Sequence, residues 1–122
     1  MCIFCNIPKE EKVFEDKHCF AFFDQHPVTP DHCLIIPNRH FPDFFEASQE
    51  EILSFYAALK HMKELLEKND PSIKGFNIGI NIGEVAGQSI FHLHIHLIPR
   101  REKDTPSPKG GVRGVIPTKM GY

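Results

Sequence analysis

Apolar residues follow two rhythms along this chain. Between Ser48 and Asp70 they recur at spacings of three and four, at Ile52, Leu53, Tyr56, Leu59, Met62, Leu65 and Leu66, which predicts one amphipathic helix. Ser48 followed by Glu51 is a capping-box signature for its start, and Asn69-Asp70-Pro71 closes it. Elsewhere the apolar runs are short. CFAFF (19–23) and HCLIIP (32–37) are bounded by charge and proline, and predict an antiparallel strand pair around QHPVTPD, a loop stiffened by its two prolines. FNIGINIG (76–83) and FHLHIHLIP (91–99) alternate, and predict two more strands separated by the glycine-containing loop EVAGQS. FPDFFEA, before the helix, predicts at most a turn of helix. Beyond Arg100 proline and glycine are too frequent for a regular helix, so residues 101–122 are expected as an extended tail. The order β-β-α-β-β predicts an α+β domain with an antiparallel sheet packed on one long helix.

Length adds that 1–122 forms a single domain, one small enough to benefit from pairing with a second copy. A formal net charge of -2 gives no reason to expect a nucleic-acid partner, although Arg100, Arg101 and Lys103 form a local basic cluster that could meet phosphates. No apolar run has the character of a secretory leader, and none approaches the ~18 residues of a membrane span. A cytoplasmic chain with reduced thiols at Cys2, Cys5, Cys19 and Cys33 is therefore expected.

The chemistry is concentrated at the two ends. In FHLHIHLIP, strand alternation puts His92, His94 and His96 on one face and Leu93, Ile95 and Leu97 on the other, toward the helix. A solvent face would more naturally carry Thr, Lys or Glu, so three aligned imidazoles beside a glycine loop point to a reacting or metal-binding row. Cys2 and Cys5, spaced Cys-x-x-Cys, supply half of a tetrahedral zinc site. On these residues alone, the histidine row could complete that site, hold a catalytic metal, or face a substrate.

The stretch His92-Leu93-His94-Ile95-His96-Leu97-Ile98 resembles the signature of the histidine triad superfamily of nucleotide hydrolases and transferases. AGQS upstream, IPR downstream and FFDQHPVTPDHCLIIPNRH resemble its surrounding segments. The tail PKGGVRGVIPTKMGY is similar to that of bacterial zinc-containing members often described as diadenosine tetraphosphate hydrolase-like. Two departures are visible: Asp31 stands where glycine is usual and Ser89 where threonine is frequent. The resemblance implies a sheet of about five strands on the helix and a homodimer. It also implies attack on the α-phosphate of a nucleotide, purines favoured, with dinucleoside polyphosphates ahead of nucleoside phosphoramidates. By the same resemblance, His94 is the nucleophile, His96 a donor near the phosphate, and His32 a buttress of the triad. Gln88, Ser89 and Asn81 contact phosphate or ribose, Asp24 accepts from ribose, and Phe4, Ile7 and Phe22 line the base pocket. Cys2, Cys5, His40 and His92 hold a structural zinc. Apart from the resemblance, Gly110-Gly111 lets the cationic tail turn back toward the end of the triad strand, where Arg113 is expected to reach over the phosphates; the alternative is that Arg113 is a solvated tail residue. A nucleotide-binding regulator with weak activity is the non-enzymatic alternative. His18, His26 and His61 receive no role.

Overall fold

The computed structural model describes residues 2–121. Five strands, β1 (Phe14–Glu15), β2 (Cys19–Phe23), β3 (Cys33–Pro37), β4 (Ile73–Gly79) and β5 (Ile95–Arg101), form one antiparallel sheet in the order β1-β2-β3-β5-β4. The helix α1 (Gln49–Asn69) packs on one face. Its start is the expected capping box: the Ser48 hydroxyl accepts from the Glu51 amide at 3.1 Å, and the Glu51 carboxylate accepts from the Ser48 amide at 2.9 Å.

The central strands are apolar throughout because both of their faces are covered. Cys19, Ala21, Cys33 and Ile35 join Leu93, Ile95 and Leu97 under α1. The intervening Phe20, Phe22, Leu34 and Ile36 form a second cluster closed by Phe4 from the N-terminal segment. Burial pushes the Cys19 and Cys33 thiols up to about 12, so both remain protonated, inert core residues.

The helix meets the sheet through a face rotated from the expected one. Phe55, Ala58, Met62 and Leu66 are buried, with Leu59 and Leu65 beside them, whereas Leu53 and Tyr56 are 70% and 65% exposed. The helix carries two apolar stripes and only one can face the sheet. Strand limits also shift. β4 begins three residues before the expected Phe76 and stops at Gly79, and β5 begins at Ile95, so His92 and His94 sit on the approach to the strand. The two-residue β1 is an addition. The tail does not run extended: it forms short 3-10 turns at Gly111–Val115 and Pro117–Lys119 and folds back beside β4. Asp31 adopts a φ of 71°, which explains why glycine suits that position. Its carboxylate lies 3.6 Å from Arg101. Among the described residues no helix is long and apolar enough to cross a membrane.

Candidate active site and metal-binding residues

Near the start of β5, three imidazoles are ordered by partners that can each play only one role in a hydrogen bond. The carbonyl oxygen of His92 can only accept, and it lies 2.9 Å from His94 Nδ1. His94 therefore carries its proton on Nδ1 and presents Nε2 as an unprotonated lone pair. This bond forms between residues on the irregular approach to β5, where the backbone carbonyl is not used by the ladder.

A second chain of bonds begins at a backbone donor. The Val28 amide donates to His32 Nδ1 at 3.0 Å, which leaves the His32 proton on Nε2. That N–H donates to His96 Nδ1 at 2.9 Å, so His96 keeps its own proton on Nε2. In these tautomers His96 presents a donor and His94 an acceptor, although the two stand two residues apart. Asp24 Oδ2 lies 3.5 Å from His32 Nε2. Asp24, His32 and His96 cluster closely enough to suggest a metal site. The Val28 amide argues against one, because it occupies the only lone pair His32 has and leaves a proton where a metal would need an acceptor.

Burial, its largest cause, holds the His32 and His96 pKa values below the ordinary 6.5, with His96 at about 4. The neighbouring His94 lowers His96 further and the Asp24 charge partly offsets the effect in both. Both groups bind protons more readily in the unfolded chain. The stability they contribute is full above about pH 6.5 and is lost as pH falls toward 4, where the unfolded state takes up protons that the folded state refuses. A urea midpoint at pH 4.5 is expected well below that at pH 7.5, and His96→Phe should flatten the dependence between them.

A cavity of about 270 Å³ opens onto His94 and His96. It is lined by Phe4, Ile7, Phe22 and Asp24, four of the residues the sequence singled out, together with Leu34 and Ile90. Phe4 meets His94 edge-on with ring centroids 5.0 Å apart. The Asp24 carboxylate accepts from the His26 amide at 2.9 Å, and the side chain lines the cavity. The cavity is therefore a largely apolar slot whose polar lining is Asp24, Gln25 and the imidazoles of His26, His94 and His96. Sequence reasoning missed Leu34, Ile90 and His26. Leu34 was detectable from alternation, since it faces the same side of β3 as Ile36, whereas His26 offered only a place in a proline-rich loop.

The remaining predicted residues fall elsewhere. Gln88 is buried: its amide donates to the Pro42 and Ile90 carbonyls at 3.0 and 3.2 Å, and its oxygen accepts from the Gly83 amide at 2.9 Å. That side chain ties two loops together and has no donor left for a phosphate. Ser89 is exposed on a cleft beside Cys2 and His40. Asn81 lines a separate cavity under the tail, which it shares with His32 and His96. Arg113 Nε donates to the Lys119 carbonyl at 3.0 Å, within the tail.

Cys2, Cys5, His40 and His92 converge behind the triad. Buried His92 donates from Nε2 to the Pro37 carbonyl at 2.8 Å, so its Nδ1 is a lone pair. That nitrogen lies 3.5 Å from each cysteine sulfur and 3.1 Å from His40 Nδ1, and Cys5 Sγ is 3.3 Å from His40 Nδ1. Zinc bond lengths in a tetrahedron require about 3.3 Å between two nitrogens and about 3.5 Å between nitrogen and sulfur. The donor set fits zinc in type and spacing. Arg39, bidentate on Glu51 at 2.8 and 3.2 Å, anchors the segment that carries His40 to the start of α1.

Comparison with known proteins gives a consistent picture. The model of the HIT domain family matches residues 7–103. A HIT-like protein of Methanocaldococcus jannaschii is 40% identical over 115 residues, covering 91% of this chain and 88% of its own. An adenylylsulfatase of Arabidopsis thaliana is 36% identical, covering 84% of this chain and 54% of its own. An adenosine 5'-monophosphoramidase of Candida albicans is 32% identical, covering 85% and 73%. Among solved structures, a zinc-bound histidine triad family protein from Mycobacterium smegmatis superposes with a TM-score of 0.76 at 31% identity, covering 87% of this chain and 79% of its own.

Proposed function

Because the chain belongs to the HIT domain family, we propose that it is a nucleotide hydrolase that cleaves at the α-phosphate through a nucleotidyl intermediate on His94. The observation that carries this reading is the 2.9 Å bond from His94 Nδ1 to the His92 carbonyl, which leaves Nε2 as the nucleophile on a residue that lines the slot. His94 Nε2 bonds to phosphorus while the bond from phosphorus to the leaving atom breaks and its electron pair departs with that atom. The His96 N–H is a donor for the charge developing there. Water then attacks phosphorus and the pair in the phosphorus–nitrogen bond returns to His94. Over both steps one water is consumed: phosphorus gains its hydroxide and the leaving group its proton.

Phe4, Ile7 and Phe22 would hold the base, a purine, and Asp24 would accept from the ribose hydroxyls. His32 acts by keeping His96 in its tautomer. Dinucleoside polyphosphates remain one substrate reading, supported by the tail's sequence. Phosphoramidates and mixed anhydrides are the second, favoured by the adenylylsulfatase and phosphoramidase relatives and by Arg113 bonding within the tail.

Cys2, Cys5, His40 and His92 would hold a structural zinc, which supplies rigidity to the segment behind His94 and no open position for water. The proposed setting is the cytoplasm, where those thiols stay reduced. A homodimer is proposed through the exposed Leu53 and Tyr56 stripe of α1 and the free edge of β4.

Incubation with adenosine 5'-phosphoramidate, adenylyl sulfate and diadenosine tetraphosphate should yield AMP from at least one. Release of AMP from none would contradict the proposal.

A further inference from the structure

The proton on His96 depends on a turn with little burial of its own. The turn lies between β2 and β3, and its Val28 amide settles the tautomer of His32 and through it that of His96. Yet Val28 is 70% exposed, and Pro30 and Asp31 are exposed beside it. The shape of the turn is set from within. Pro27 and Pro30 fix two φ angles, and the His32 amide donates to the Thr29 carbonyl at 3.1 Å. Its distance from the triad strand is set by polar tethers. The pairing of β3 with β5 ends at Cys33 opposite Leu97. Two residues farther along β5, the Thr29 hydroxyl donates to the carbonyl of buried Pro99 at 2.7 Å. Two residues farther again, Arg101 Nη1 donates to the Pro30 carbonyl at 3.0 Å, while its Nε and Nη2 donate to Asp70 Oδ2 at 3.3 and 2.9 Å.

The two tethers differ in what they fix. Arg101 is long and jointed, is shared with the end of α1, and grips the turn at Pro30. Thr29 is the neighbour of Val28. It is β-branched and stiff at χ1, and the proline after it restricts its backbone. Its hydroxyl closes a ring of contacts: β5 from His96 to Pro99, then Thr29, Val28, His32 and back to His96. Opened at Thr29, the ring releases the Val28 amide from His32 Nδ1. His32 is then free to carry its proton on Nδ1 and accept at Nε2. His96 would follow, with its proton on Nδ1 and a bare Nε2. The Asp24 carboxylate, 3.5 Å from His32 Nε2, is too distant to hold the proton there alone. The donor for the leaving atom would be lost with every histidine still in place.

Resting on the α-phosphate chemistry above, we propose that Thr29 is a positioning residue for that reaction. Through the Pro99 carbonyl it holds the Val28 amide on His32, and so keeps the His96 proton on the nitrogen that serves the leaving atom. Thr29→Val keeps the shape and removes the donor, Thr29→Ala removes it without placing a methyl against the carbonyl, and Thr29→Ser keeps it. Each is checked for folding by circular dichroism. Long-range proton–nitrogen-15 spectra report which ring nitrogen of each histidine carries the proton. His32 and His96 are expected as Nε2–H in the wild type and in Thr29→Ser, and shifted toward Nδ1–H in Thr29→Val and Thr29→Ala. The rates should follow. For adenosine 5'-phosphoramidate, whose amine leaves with a proton, loss of the hydroxyl should lower kcat about tenfold and change KM less than twofold. For the p-nitrophenyl ester of AMP, whose phenolate leaves without one, kcat should fall less than about threefold. Thr29→Ser should recover at least about half of the wild-type kcat. Ser54→Ala, which removes a bond from α1 to Asp16, controls for lost stability alone and should move neither the spectra nor the ratio of the two rates. Unchanged His32 and His96 spectra in a folded Thr29→Val or Thr29→Ala variant, or equal rate losses on the two substrates, overturn the role of Thr29 and leave the α-phosphate reading standing. Release of AMP from neither substrate by the wild-type protein overturns both.

Discussion

His94→Ala is expected to abolish turnover while the protein stays folded and still binds nucleotide. The side chain is only partly buried and packs against Phe4, so its loss removes no major part of the core. It removes the Nε2 lone pair that the His92 carbonyl orients on a residue lining the slot. His96 cannot substitute, because the relay from Val28 through His32 gives it a proton on the nitrogen that would have to attack. Loss of a covalent nucleophile should cost several orders of magnitude in kcat, each factor of ten being about 1.4 kcal/mol of barrier. Initial rates on the best substrate, beside a thermal melt, provide the check. More than a tenth of wild-type activity in a folded variant would assign the attack to another group.

The largest effect on stability is expected from Cys5→Ser. Metal analysis of the wild-type protein should find zinc close to one per chain, and the variant should lose it. Because metal binding and folding are coupled, the loss should cost several kcal/mol and lower Tm by more than ~10 °C in a domain of this size. The effect should exceed that of an exposed thiol, since Cys5 lies 3.3 and 3.5 Å from the nitrogens of His40 and His92. Wild-type activity should persist in mild chelator for as long as the zinc stays bound, because four protein donors leave no site for a reacting water. Protein made with ample zinc but containing none, or an unchanged melt in the variant, would remove the metal from the account.

What could be read from the residues was whatever depends on local periodicity. The capping box at Ser48 and Glu51, the apolar strands at 19–23 and 33–37, and the inward row Leu93, Ile95 and Leu97 are each encoded within a few neighbours. The triad and the cysteine pair stood out because histidines at alternate positions and Cys-x-x-Cys are rare without a purpose. What could not be read depends on tertiary choice. Leu53 and Tyr56 fit the helical period as well as Phe55 and Ala58 do, and only the sheet decides which stripe is buried. Gln88 has the chemistry to hold a phosphate, yet its amide is used by the Pro42 and Ile90 carbonyls, a fact with no local signature. The tail was expected to be extended because its glycines and prolines rule out a helix. The same residues permit the tight turns that fold it onto β4 and β5.

The stereochemical course at phosphorus tests the covalent intermediate most directly. Two successive in-line displacements, by His94 and then by water, each invert phosphorus and together restore its configuration. One attack by water, whether activated by an imidazole or by a metal, inverts it once. Hydrolysis of an adenosine phosphoramidothioate of known configuration in oxygen-18 water should therefore give product with overall retention. Overall inversion would contradict the nucleotidyl-His94 intermediate.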